Sequence, residues 1–413
     1  MIPELVGYVT RREGRKFLKL SPQSDGPAVT GSGRDDGISL YIHIPFCRSL
    51  CPFCCFNRYL FNEEKARLYF RQLRQELDFY IQRGFRFSDF YFGGGTPTIL
   101  MDELAGFIGY LRQKFEVKRI SLETTPREIN PDNVSQLQSL GINRLSLGVQ
   151  SFDDAVLKTM GRLFIKGEEV KERLRLVQGK FDTVNVDFVF NFPGQSLEQF
   201  RADVRAFKEL GIDQATFYPL MASPHKRDAM ERRFNRIDTS MEQKFYDIIL
   251  KDVFGAGYKA STVWCFSRED KMIDEYIINS DDYIGIGSGS VSIVGGEFFV
   301  NSFSLEKYGS LVESGQLPIV GRRKLSPGEY RRYYLLTKLF GLTVDLTEFR
   351  KHFHAELGGR LIKELLPFTL TGIVRGRDKI TVTPRGMYTV SVMMREFFAS
   401  LNTLREQYIE KQI

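Results

Sequence analysis

From residue 38 to about 300, short apolar runs alternate with longer amphipathic stretches. The short runs predict strands at 40–44, 89–92, 119–124, 144–149, 184–190 and 215–220. The stretches between them carry helical spacing. In 63–83, Phe70, Leu73, Leu77, Tyr80 and Ile81 fall on one face, and Gly84 follows as a stop. Further helices are expected at 102–115, 131–140, 168–178, 196–210 and 241–254; the one at Ser196 opens with Ser-x-x-Gln, a capping pattern. Six strand–helix units imply a parallel sheet, because parallel neighbours need a crossover connection. They suit an open barrel as well as a flat doubly wound sheet. In both, ligands belong at the carboxyl ends of the strands.

After about residue 300 the pattern changes. Helices are predicted at 329–340, 346–357 and 387–401, and 371–386 (TGIVRGRDKITVTPRG) reads as a hairpin. The chain thus divides into an N-terminal extension (1–37), an α/β barrel (38–300) and a small α+β accessory domain of winged-helix type (301–413). A winged shape alone does not argue for nucleic acid, and none is expected as a partner.

The hydrophobic content of 42% and the charged content of 26% are ordinary for a globular protein. Runs such as FYFGGG and VDFVFNFPG fall far short of the roughly 20 apolar residues of a membrane span, and no secretory signal is visible, so a cytoplasmic location is expected. The formal charge of +7 is spread over the chain. Local exceptions are Arg11, Arg12, Arg15 and Lys16, and the run Arg322, Arg323, Lys324. Such runs are solvated faces or contacts with an anionic surface, such as the inner face of a membrane.

Cys47, Cys51, Cys54 and Cys55 crowd into one short loop. Bridges that staple a fold close longer loops, so this cluster reads as metal or cluster ligation. Cys47-x3-Cys51-x2-Cys54 can wrap three irons of a cubane and leave the fourth iron open to a ligand. Zinc is the alternative; it needs a fourth ligand for a closed tetrahedron, and Cys55 is too near in sequence to supply it easily.

The segment YIHIPFCRSLCPFC resembles the signature of radical-SAM proteins, in particular the oxygen-independent coproporphyrinogen III oxidase family. More motifs follow in the same order: Gly93-Gly94-Gly95-Thr96-Pro97-Thr98, Glu123, Gly148-Val149-Gln150-Ser151-Phe152, Met160-Gly161-Arg162, Asp187, Asn191-Phe192-Pro193-Gly194-Gln195 and Tyr283-Ile284-Gly285-Ile286-Gly287-Ser288-Gly289. The resemblance implies a partial (β/α)6 barrel, a [4Fe–4S] cluster on Cys47, Cys51 and Cys54, and S-adenosylmethionine chelating the open iron. Reductive cleavage then yields methionine and a 5′-deoxyadenosyl radical. The adenosylmethionine site is expected at Tyr41, Gly94, Gly95, Thr96, Glu123, Gln150, Arg162, Asp187 and Phe217. Glycines permit close backbone approach, Arg162 can fork onto a carboxylate, and Asp187 can accept from ribose hydroxyls. A flavodoxin or ferredoxin is the implied reductant.

Within that family the chain departs from two patterns. The oxidase follows the third cluster Cys, after one intervening residue, with a further Cys, where this chain has Cys54-Cys55-Phe56. The related haem chaperone carries His-Asn-x-x-Tyr-Trp, which residues 274–283 lack. On these departures the chain is expected to be a class C radical-SAM methyltransferase. Such enzymes use two adenosylmethionines, and menaquinone's naphthoquinone ring is the expected substrate here. The alternatives are a tetrapyrrole enzyme, either the oxidase or a haem-degrading methyltransferase, and a non-enzymatic haem chaperone. Thirty-five Phe and 18 Tyr fit a pocket for a flat ring, with Phe217, Tyr218 and Met221 as its expected wall, but fit a Phe-rich core equally well.

Overall fold

The computed structural model describes residues 2–22, 37–234, 236–268, 271, 280–353, 359–411 and 413. All six predicted strands form: β1 (Ile38–Ile44), β2 (Phe87–Gly94), β3 (Arg119–Thr124), β4 (Arg144–Gln150), β5 (Thr183–Phe190) and β6 (Gln214–Pro219). They pair in parallel in sequence order. On the other side of β1 lies a further parallel strand, β7 (Tyr283–Ile286). Antiparallel strands β8 (Val291–Val294), β9 (Glu297–Asn301) and β10 (Ile319–Lys324) extend the sheet beyond it. The strand order is linear, so the arc stays open as a partial barrel.

Side-chain alternation divides this sheet into two faces. In β5, Val184, Val186, Phe188 and Phe190 join the main apolar core with helix residues such as Phe200 and Phe207. Asn185 and Asp187 point the other way: Asn185 donates to Ser146 at 2.8 Å and accepts from Thr216 at 3.1 Å. The lumen is therefore polar and hydrogen-bonded, and the helix side is apolar.

The covering helices begin and end where local chemistry allows. In Glu63–Gln82, the Asn62 side chain accepts from the amide of Lys65, and Gly84 takes a left-handed φ of 82° just past the end. Leu197–Glu209 starts with the reciprocal Ser196–Gln199 box. These caps satisfy amides that the first turn leaves without a helical partner.

In the C-terminal part, the predicted hairpin forms between Val374–Arg375 and Lys379–Val382, and Thr343–Asp345 joins it as a third strand. The predicted helix at 346–357 is seen as Leu346–Phe353; residues 354–358 lie outside the described residues. The last helix is longer than expected, Pro384–Glu410, because Thr383 caps it and Pro384 occupies its first turn. A helix not foreseen, Ile2–Phe17, lies along it. Its contact is made through glycines: a Cβ on Gly7 would meet Val392 at 3.0 Å, and one on Gly14 would meet Ser400 Oγ at 2.9 Å.

The basic runs are largely committed to partners within the chain. Arg11 bonds Glu396 at 2.6 Å, Arg322 pairs with Glu297, and Arg323 pairs with Glu329. No helix among the described residues is long and apolar enough to cross a membrane.

Candidate active site around the cysteine loop

β1 runs through Pro45 into the cysteine loop, and the bridge Phe46–Cys47 pairs with Tyr59–Leu60 across the loop's base. Cys47, Cys51 and Cys54 all face one cavity at the carboxyl ends of the strands, about 1300 Å³ including its open mouth. Inside the loop, the Cys54 amide donates to the Cys51 carbonyl at 3.1 Å. The Tyr283–Gly289 motif fixes the loop from below. Asn57 Nδ2 donates to Ser288 Oγ at 3.1 Å and to the Phe303 carbonyl at 3.2 Å, and a Cβ on Gly289 would strike Asn57 at 2.7 Å.

Burial pushes the Cys47 thiol up to about 11, against a hydrogen bond from Thr96, and pushes Cys51 up against the nearby Arg162 charge. Both are protonated thiols when bare, so ligation must release their protons. Among the described residues, no three Cys, His, Asp or Glu side chains gather closely enough for a single ion. Three soft donors on one loop, with an open cavity on their fourth side, fit an iron–sulfur cubane that takes one thiolate per iron.

The strand ends then build the rest of the cavity. Gly94 has φ 118°, and a Cβ there would meet the His43 ring at 2.9 Å; one on Gly95 would meet the Phe46 carbonyl at 2.6 Å. This close stacking of backbone on backbone leaves the cavity floor free of side chains. Glu123 accepts from Tyr91 Oη at 2.9 Å and from the Gly94 amide at 3.2 Å. Gln150 also has a left-handed φ, 72°, and folds its amide back over Gly148 at 3.0 Å from where a Cβ would stand. A non-glycine residue held in this conformation stores strain of the kind that gathers at functional sites. Asp187 accepts from Ser146 at 3.0 Å and from Asn185 at 2.8 Å.

Arg162 lies between strand end and cluster loop. Its Nη2 donates to the Gly148 carbonyl at 2.7 Å, its Nη1 stands 3.9 Å from Cys51 Sγ, and its guanidinium covers Phe164 at 5.1 Å. Its buried Nε has no hydrogen-bond partner among the described residues. A buried guanidinium with a spare donor beside the thiols suits an anionic group in the cavity.

The structure thus brings Gly94, Gly95, Thr96, Glu123, Gln150, Arg162 and Asp187 into the cavity wall with the three cysteines. Tyr41 does not line it. It is buried one layer below, bonded to His43 Nδ1 at 2.9 Å, with its ring 3.0 Å from where a Cβ on Gly93 would stand. Phe217 requires a correction: it is fully buried on the helix side, stacked on Phe188 at 5.3 Å and edge-on to Phe200 and Phe207. Strand alternation in β6 is the reason, since Thr216 and Tyr218 take the lumen phase and Phe217 the opposite one. Tyr218 and Met221, by contrast, line the cavity.

Other lining residues were not singled out from the sequence. Arg48 pairs with Glu128 at 2.8 Å, and Arg127 covers Phe164 at 5.6 Å; both line the cavity, as do Phe53 and Leu220. Arg48 directly follows Cys47, which was the available signal. Cys55 lines the cavity as well, and its carbonyl accepts from Arg405 at 2.6 Å. Of the stretch 274–283 compared with the haem-ligating pattern, residues 274–279 lie outside the described residues.

A family model described as "Radical SAM superfamily" matches residues 41–207. Heme chaperone HemW of Bacillus subtilis is 27% identical over 345 residues, covering 80% of this chain and 90% of that protein. Oxygen-independent coproporphyrinogen III oxidase of Escherichia coli is 28% identical over 387 residues, covering 84% of this chain and 82% of that protein. The solved structure of the Escherichia coli coproporphyrinogen III oxidase HemN superposes with a TM-score of 0.77 at 22% identity, over 92% of this chain and 95% of that one. These relatives overturn the expectation of a menaquinone methyltransferase. That expectation rested on two local departures, at Cys54-Cys55-Phe56 and at 274–283, whereas the likeness to the chaperone and the oxidase runs along four fifths of the chain.

Proposed function

We propose that this chain, a member of the radical SAM superfamily, performs radical chemistry on a tetrapyrrole. Support comes first from the relatives named above, a heme chaperone and a coproporphyrinogen oxidase. The observation that carries the reading is the make-up of the cavity. Alongside the three thiols, its lining includes the apolar side chains Phe53, Phe164, Leu220 and Met221 and the cations Arg48 and Arg127. A tetrapyrrole is an apolar disc with carboxylate arms, so the apolar walls suit its faces and the arginines suit its arms.

Cys47, Cys51 and Cys54 hold the [4Fe–4S] cluster, with Thr96 and Arg162 placed to hydrogen-bond the sulfurs of Cys47 and Cys51. When bound, the cluster supplies the electron that cleaves the sulfonium C–S bond of S-adenosylmethionine. In this reading Gly94 and Gly95 let the backbone approach the methionine end, and Glu123 and Gln150 receive its amine. Arg162 pairs with its carboxylate, and Asp187 accepts from the ribose. Tyr41 and His43 support that floor from beneath.

The test is an anaerobic assay of the reconstituted full chain with S-adenosylmethionine, a reductant, and either coproporphyrinogen III or haem. Formation of 5′-deoxyadenosine that rises with added tetrapyrrole, together with loss of the tetrapyrrole, supports the reading. Haem binding without turnover sinks it in favour of carriage. Nucleoside formation indifferent to every tetrapyrrole sinks it altogether.

A further inference from the structure

The cysteine loop is also gripped by two elements that contribute no strand-end motif. Lys226, in helix Pro224–Phe234, donates from Nζ to the Cys54 carbonyl at 2.7 Å. Arg405, near the end of helix Pro384–Glu410, donates from Nη1 to the Cys55 carbonyl at 2.6 Å and covers the Phe56 ring at 5.4 Å. From within the loop, Arg58 Nη2 donates to the carbonyls of both Cys51 and Cys54, the latter at 3.1 Å. Three cations therefore sit on peptide groups of the residues that carry, or adjoin, the ligand sulfurs.

The two outer cations are tied together. The Ser223 hydroxyl donates to Glu406 and accepts from the amide of Lys226 at 3.1 Å, so it caps the Lys226 helix while bonding the C-terminal one. Asn402 accepts from Arg405 at 2.8 Å and donates to the Met221 carbonyl at 2.7 Å. One turn of the C-terminal helix thus grips the cluster loop and the opposite cavity wall at once. Nothing in barrel architecture requires this. A loop that only needed closing could be closed by neutral donors.

We infer that Lys226 and Arg405 are positioning residues that raise the reduction potential of the cluster held by Cys47, Cys51 and Cys54; the inference rests on that cluster assignment. Adding an electron makes the cluster more negative. Fixed cations close by favour the reduced form, the more so for Arg405, whose side chain is buried. Their hydrogen bonds to the Cys54 and Cys55 carbonyls hold the loop still while the charge changes.

The experiment is a redox titration of the anaerobically reconstituted full chain, followed by electron paramagnetic resonance of the reduced cluster. The proteins compared are the parent, Lys226→Met, Arg405→Met, Lys226→Arg and Arg405→Lys. The methionine variants are expected to hold the parent's iron and sulfide yet show a more negative midpoint potential. The charge-keeping variants are expected to recover most of that shift. Unchanged midpoints in methionine variants with full clusters overturn the inference, and so do equal shifts in the charge-keeping variants. Lys226→Met lies on a separate short helix, and it decides the matter if Arg405→Met does not fold. Failure of the parent chain to assemble any [4Fe–4S] cluster overturns the cluster assignment itself.

Discussion

The backbone amide of Gly94 donates to the carboxylate of Glu123 at 3.2 Å, joining the glycine loop after one strand to the end of the next. The same carboxylate accepts from Tyr91. Glu123→Ala removes the acceptor of both donors and the group placed to receive a cationic amine. Hydrogen bonds to charged groups are worth about 1.5–3 kcal/mol. The dissociation constant for S-adenosylmethionine should therefore rise about tenfold or more, with Glu123→Gln between variant and parent. Equilibrium dialysis on anaerobically reconstituted protein measures it, and an unchanged constant in Glu123→Ala would remove Glu123 from the site.

Gly95 and Gly84 separate two demands made on glycine. A Cβ on Gly95 would stand 2.6 Å from the Phe46 carbonyl and 2.8 Å from the Phe46 amide, both backbone atoms that cannot step aside. Gly84 has φ 82° but nothing within 4 Å of a Cβ. Gly95→Ala should cost about 1–3 kcal/mol and reduce cluster occupancy as the loop shifts. Gly84→Ala should cost about 1 kcal/mol and leave the cluster intact. Thermal melts together with iron and sulfide analysis compare them; full occupancy in Gly95→Ala would show that the loop tolerates displacement.

The six barrel strands were legible because apolar runs of the right length recur between helical stretches, and the cysteine loop because four thiols in one short segment have few other uses. Phe217 misled because composition does not give strand phase: its neighbour Tyr218 takes the lumen side. In the Ile2–Phe17 helix the buried residues are glycines, Gly7 and Gly14, while the apolar Ile2, Leu5 and Val9 are exposed, so apolar spacing does not mark the face that packs. Strands β8 and β9 have only four and five residues, and half of β10 is the basic run Arg322-Arg323-Lys324, so none of them shows as an apolar run between helices. Arg405 and Lys226 reach the loop from distant parts of the chain, and no local spacing announces such a contact. The substrate class is carried by the likeness spread over four fifths of the chain, and the two local departures, at Cys54-Cys55-Phe56 and at 274–283, do not decide it.

Cys55 differs from Cys47, Cys51 and Cys54, the proposed ligands, in what its thiol meets: the Asn402 side chain hydrogen-bonds it, and its carbonyl is taken by Arg405. Replacing Cys47, Cys51 or Cys54 by Ala should abolish the brown absorbance of the reconstituted cluster, since a cubane loses an iron's protein ligand. Cys55→Ala should keep that absorbance and its iron content. Loss of the cluster in Cys55→Ala, or its survival in any of the other three, would redraw the ligand set.

Glu76 gives a prediction remote from the cavity. It is fully buried and accepts from the Gly287 amide at 2.8 Å, Asn301 Nδ2 at 2.6 Å and Tyr308 Oη at 2.6 Å. Burial pushes its pKa up to about 7, against the pull of those three donors. In the unfolded chain the group titrates near 4.5. The folded state therefore binds the extra proton between these values, and stability from this group is fully present below 4.5 and lost as pH rises through 7. The loss is about 3 kcal/mol. His43 acts in the opposite sense: burial lowers its pKa to about 4, so its contribution is lost as pH falls below 6.5. The two windows overlap with opposite sign, so denaturant unfolding from pH 4.5 to 8 is compared between the parent and Glu76→Gln. The variant cannot titrate at this position, so the parent should lose about 3 kcal/mol relative to it between pH 4.5 and 7 and then level off. A difference that stays constant across that range would mean that Glu76 is ionised in the folded protein throughout.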